Sequence, residues 1–107
     1  MPLSDEAYRQ DLFFLGLRLK DIRAQFGCTQ AQFAEHFSLS ITHLCNIEGG
    51  RREPSLRLLM DIAGDLGVSL DYIVLGRTNA PGDSALIFRS DEELAASFLC
   101  EGDGPEA

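Results

Sequence analysis

Apolar residues recur along this chain in short bursts of helical period, each closed by glycine or opened by a capping residue. Leu12, Leu15, Leu19, Ile22 and Phe26 return at three- and four-residue steps, with Arg18, Lys20, Asp21 and Arg23 opposite, and this predicts a first helix over 12–26. Phe13, Phe14 and Leu17 widen the stripe, to cover core, a second subunit or the C-terminal tail. Gly27 stops that helix. Thr29-x-x-Gln32 is a capping box that opens a second helix over 30–37, with Phe33, Ala34 and Phe37 on one face. Residues 37–40 leave room only for a turn. In a left-handed conformation there, Ser38 costs about 1 kcal/mol more than glycine. Ser40 caps a third helix over 41–48, with Leu44 and Ile47 inward, and Gly49-Gly50 ends it. Pro54-Ser55 starts a fourth, with the stripe Leu56, Leu59, Ile62, Ala63 and Leu66 and a stop at Gly67. Ser69 caps a short fifth, 70–75, closed by Gly76.

Beyond Gly76 the pattern changes. Asn79-Ala80-Pro81-Gly82 reads as a linker, Ala85-Leu86-Ile87-Phe88 leans towards a strand, and Ser90-x-x-Glu93 opens a short helix with Leu94, Phe98 and Leu99 apolar. The pattern therefore divides the chain into a flexible N-terminus (1–11), a compact all-α domain of five helices (12–76) and a C-terminal extension (77–107) with a disordered end.

Two short helices joined by a tight turn are the signature of a helix-turn-helix, whose second helix enters the DNA major groove. The net charge of −8 opposes nucleic-acid binding until it is divided. Residues 12–76 carry six Arg/Lys against seven Asp/Glu, residues 1–11 one against three, and residues 77–107 two against seven. The acid sits at the ends, and a local basic face matters more than the average. Cys28, Cys45 and Cys100 form no CxxC pair and no metal-like spacing with His36 or His43, so no cofactor or metal is expected and the thiols read as reduced. No apolar run is long enough to span a membrane and the N-terminus lacks a hydrophobic signal core, which points to the cytoplasm. No paired carboxylates, phosphate loop or nucleophile with a base suggest an enzyme.

In order along the chain stand Gly16 and Arg18 to Arg23, Thr29-Gln30, Phe33-Ala34, Ser40, Ile47-Glu48-x-Gly50, Pro54-Ser55 and Leu66-Gly67-Val68-Ser69-Leu70-Asp71-Tyr72. This series, about sixty residues of 107, resembles the phage lambda repressor/Cro-like helix-turn-helix family, also called the XRE family. The resemblance implies a five-helix lambda-repressor-like fold. It implies that Gln30 touches a DNA phosphate and braces the recognition helix, that Arg23 and Glu48 form an internal ion pair, and that Arg51 and Arg52 grip the backbone. Ser40, Ile41, Thr42, Cys45 and Asn46 then become candidate base contacts, and Arg18 and His43 further candidate phosphate contacts. Asn46 has the donor and acceptor for one adenine edge, and Ile41 and the Thr42 methyl suit thymine methyls. Cys45, His43 and Arg18 read equally as plain surface residues.

The function this favours is a transcriptional regulator of phage or bacterial type, a dimeric repressor on a palindromic double-stranded operator. Half-sites on such an operator lie about 34–36 Å apart. Tyr72, Leu86, Ile87, Phe88, Leu94, Phe98 and Leu99 are the candidate dimerisation residues. The alternative is a protein-interaction module of the same fold, antitoxin-like or an adaptor, with little or no DNA binding. The acidic balance and the apolar recognition face motivate it. A protein partner or effector is open in either reading.

Overall fold

The computed structural model describes residues 5–77 and 90–99. Among them the chain is all-helical: α1 (Asp5–Gln25), α2 (Gln30–His36), α3 (Ile41–Glu48), α4 (Leu56–Leu66), α5 (Leu70–Leu75) and α6 (Asp91–Leu99). The apolar run at residues 85–88, and with it the expected strand, lies outside the described residues.

The capping signals act as the pattern predicts. Thr29 Oγ1 accepts from the Gln32 amide while the Gln32 side chain accepts from the Thr29 amide. Ser90 and Glu93 repeat the arrangement at the start of α6. Ser40, Ser55 and Ser69 each accept an amide of the helix they open. Each bond satisfies a helix-end donor that has no partner within the helix.

The core gathers Leu15, Leu19 and Ile22 of α1, Phe33 and Ala34 of α2, Leu44 and Ile47 of α3, Leu58, Leu59 and Ile62 of α4, then Val68, Tyr72 and Ile73. Two positions depart from the expected stripes. Leu56 is 69 % exposed and Leu58 is buried in its place. At about 100° per residue, Leu58 lies near Ile62 on the helix circumference, whereas Leu56 shares the outer edge with Met60. Phe26, past the end of α1, is also exposed.

The first helix starts at Asp5, seven residues before the apolar pattern begins. Periodicity does not reveal these turns because they carry no buried stripe. Asp5 and Glu6 in the first turn complement the positive end of the helix dipole. The Tyr8 hydroxyl donates to the Glu53 carboxylate across 45 residues, which holds these turns against the loop after α3.

The wide stripe of α1 is explained by its neighbours, since α1 packs against α3, α5 and α6. Leu17 and Leu94 are buried, and Lys20 lies 4.7 Å from the centre of the Phe98 ring. Thus α6 covers part of α1 within the same chain. Tyr72 (1 % exposed) and Leu94 (0 %) are consumed by the interior and are not available to a second subunit. Phe98 is half-buried beneath Lys20. Leu86, Ile87 and Phe88 lie outside the described residues, as does the Leu99 side chain.

Candidate nucleic-acid interface

The turn between α2 and α3 fixes their mutual angle. Ser38 has φ 61°, the left-handed conformation. Its amide donates to Glu35 O at 3.2 Å, and the Leu39 amide donates to Ala34 O at 2.7 Å. These two bonds make a Schellman end, with Leu39 folded back onto the core. The left-handed serine is therefore a local cost accepted for a turn that aims α3 outward.

Close approach to α1 seats α3. A Cβ added at Gly16 would lie 2.4 Å from Glu48 O and 2.6 Å from Ile47 O, so only glycine lets the end of α3 cross α1 at this distance. Beside that crossing, Arg23 Nε donates to Glu48 Oε2 at 2.7 Å and Arg23 Nη2 to Glu48 Oε1 at 3.1 Å. Arg23 Nη1 donates to Cys28 O at 2.9 Å, so all three guanidinium nitrogens are used. Gln30 Nε2 adds a further bond to Glu48 Oε1 at 3.1 Å, and Gln30 Oε1 accepts from the Cys45 thiol at 3.2 Å. One buried carboxylate thus ties α1, α2 and α3 together. Arg23 and Glu48 take the ion-pair role the sequence suggested, and Gln30 braces α3.

The candidate base readers divide by what already holds them. Ile41 is 50 % exposed and Thr42 is exposed; both stand on the open side of α3. The Ser40 oxygen accepts the His43 amide at 3.0 Å as the helix cap, and its hydroxyl proton remains a donor. His43 is half-buried at the same end. Cys45 is half-buried and turned to Gln30, which removes it from the freely exposed face. Asn46 is half-buried as well, and its Oδ1 accepts from Arg51 Nε at 3.1 Å.

The last bond was not legible in the sequence. After α3 the chain makes a second Schellman end at Gly50 (φ 77°), with the Gly50 amide on Ile47 O and the Arg51 amide on Asn46 O at 2.8 Å. This turn folds Arg51 back over Gly49, so that the candidate base reader Asn46 and the candidate phosphate grip Arg51 touch. The cue was the Asn46-to-Arg51 spacing across a Gly-Gly stop, which becomes a contact only through the left-handed Gly50. Arg52 is exposed in the same loop.

Arg18 is corrected by the structure. It is 2 % exposed and lies in the interior rather than on an open face. Its Nε donates to Ile73 O at 2.8 Å, Nη2 to Val74 O at 3.0 Å and Nη1 to Asp91 Oδ1 at 2.7 Å. A cation at the carbonyl end of α5 answers that helix's negative pole. Tyr8, by contrast, enters the interface region from a stretch with no periodic signal. Its bond to Glu53 holds the phenol pKa above the ordinary value.

Comparison with known proteins agrees with this geometry. The helix-turn-helix family model matches residues 19–73, from the last two turns of α1 into α5. The immunity repressor protein of Bacillus phage phi105 is 43 % identical over 60 residues, which cover 56 % of this chain and 42 % of that protein. The SPbeta prophage-derived uncharacterized HTH-type transcriptional regulator YonR of Bacillus subtilis (strain 168) is 32 % identical over 83 residues, covering 78 % of this chain and 76 % of YonR. The HTH-type transcriptional regulator ImmR of the same strain is 35 % identical over 60 residues, 56 % of this chain and 47 % of ImmR. The chain thus spans less than half the length of the phage repressor and of ImmR. No solved structure matches the chain significantly. With the family model covering half the chain and the two-helix geometry in place, this chain belongs to the XRE-type helix-turn-helix family of DNA-binding transcriptional regulators.

Proposed function

We propose that the protein is a repressor that binds a palindromic double-stranded operator as a homodimer in the cytoplasm. The observation that carries this reading is the three-helix lock on Glu48. It holds α3 with Ile41 and Thr42 exposed; Gln30 touches Cys45, Arg51 touches Asn46, and Arg52 is exposed in the loop beyond. Outward α3 side chains suit base edges, and the flanking amide and guanidinium groups suit phosphates. The α3 surface is short of charged readers, so contacts to thymine methyls from Ile41 and Thr42 carry more of the preference than in a hydrogen-bond-rich helix.

One α3 reads only a few base pairs, so two copies on two half-sites are needed. With Tyr72 and Leu94 committed to the interior, the dimer surface falls on α5. Val74 and Leu75 are exposed there and, with Tyr8, Leu12 and Leu59, line an apolar cleft of about 260 Å³. A second copy covers it.

A second reading, a protein-interaction module without DNA binding, is favoured by the net charge of −8. Selection of bound duplexes from a random pool, followed by salt titration, separates the two. The repressor reading expects an enriched palindrome and an affinity that falls steeply with salt in proportion to the phosphates neutralised. No enriched sequence and no salt dependence overturns it.

A further inference from the structure

The two added turns of α1 lie beside the loop that follows α3. The loop backbone comes so close to α1 that a Cβ at Gly50 would sit 2.8 Å from Phe13 Cα. One helical turn earlier, Tyr8 donates to Glu53. These contacts come from separate residues and hold the N-terminal turns of α1 on the loop. Asp5, Tyr8, Arg9 and Leu12 recur at three- and four-residue steps, so one face of α1 meets the loop. Between the two elements, Arg9, Arg51 and Arg52 line a single open cleft.

The charges of this cleft are unequally committed. Of the two carboxylates that line it, Glu53 is held by the Tyr8 hydroxyl and Asp5 sits in the first turn of α1, where the helix amides offset its charge. Arg51 is tied to Asn46. Arg9 and Arg52 are exposed, and neither guanidinium bonds to another described residue. Two uncommitted guanidiniums on adjoining elements repel one another unless an anion lies between or before them. Their planar forks fit phosphate oxygens.

We propose that Arg9 is a further phosphate-gripping residue, and that the N-terminal turns of α1 and the α3–α4 loop form one clamp on the sugar–phosphate backbone of the DNA duplex. The inference rests on the DNA-binding reading and adds an element outside the matched helix-turn-helix span. Tyr8 acts as a positioning residue, because its bond to Glu53 sets where Arg9 stands. The clamp grips backbone and reads no sequence.

The test is duplex binding by the full chain across a salt series, with a selected duplex and an unrelated one. Arg9→Ala is expected to weaken both duplexes by a similar several-fold factor at low salt and to flatten the salt slope by about one unit. Between 50 and 200 mM salt, its deficit should shrink roughly threefold. Tyr8→Phe should show a smaller part of the same loss. Arg77→Ala removes one charge outside the cleft and should change little. If Arg9→Ala leaves affinity and slope at wild-type values while Arg52→Ala lowers both, the clamp is wrong and DNA binding stands. Equal losses for Arg9→Ala and Arg77→Ala reduce the effect to net charge and also overturn the clamp. If the wild-type chain binds no duplex at all, the underlying reading fails first. Since Arg9 is exposed, thermal melting should show every Arg9 variant folded as wild type.

Discussion

Arg23 and Arg18 stand five residues apart on α1 and fasten different elements to it. Arg23 meets Glu48 at the α1–α3 crossing, where the carboxylate is nearly enclosed and shared with Gln30. Arg18 meets the carbonyl end of α5 and the first turn of α6, where its acidic partner Asp91 is 46 % exposed. Arg18 is buried against a half-exposed counter-ion, whereas Arg23 is half-buried against a buried one. The first anchor, Arg23, supports the recognition helix; the second fastens the C-terminal helix. A buried charge therefore says nothing by itself about DNA contact, and its partners decide what it does.

The contrast can be broken at each anchor by equilibrium denaturation. Glu48→Ala should have the largest effect, a loss of about 3–5 kcal/mol, because the buried carboxylate that pairs with the half-buried Arg23 and accepts from Gln30 is removed and neither donor keeps its partner. DNA binding should fall with it, since Gln30 also loses its anchor; a stable variant with unchanged operator affinity would refute the lock. Gly16→Ala tests the same crossing without touching charge. Its methyl must displace the α3 backbone, so we expect a cost of about 1–3 kcal/mol. Helix propensity alone predicts the opposite sign, so a stabilised variant would show that α1 and α3 do not approach this closely.

At the other anchor, Arg18→Ala leaves two backbone carbonyls without their donor, and a loss of about 1–3 kcal/mol is expected with sequence preference unchanged in duplex selection. Any change of preference would bring Arg18 back to the interface. Asp91→Asn should cost less than about 1 kcal/mol, because solvent already screens that pair. A drop as large as that of Glu48→Ala would erase the difference between the two anchors. Smallest and of opposite sign, Ser38→Gly should stabilise by up to about 1 kcal/mol by relieving the left-handed serine, read as a raised denaturation midpoint.

The helix-turn-helix was legible because its signals are local. Capping boxes at Thr29 and Ser90, stops at Gly27, Gly67 and Gly76, and the inward pair Leu44 and Ile47 all depend on neighbours within one or two turns. The α1 extension was not legible, since Asp5 to Asp11 carries no buried stripe and its Tyr8 reaches a loop 45 residues away. Leu56 was misplaced because Leu56, Leu58 and Leu59 stand on one broad arc of α4, and only the packing partners select which part of it is buried. Arg18 was misread for a related reason: a charged residue opposite an apolar stripe looks solvated until another helix covers it. At the site, the ion pair and the glutamine brace were visible through resemblance, whereas the Asn46–Arg51 contact depends on Gly50 turning the loop back.

Sequence alone determined the bounds of each helix from α2 to α5 to within a residue or two, which turn aims α3, and the family, because caps, stops and hydrophobic period act over a few residues. The tertiary structure alone decided that Tyr72 and Leu94 belong to the monomer's interior, that Arg18 fastens α6, and that Arg9 joins Arg51 and Arg52 in one cleft. Those facts depend on contacts between residues 40 to 73 positions apart, and chain closure over such distances leaves no periodic trace in the residues themselves.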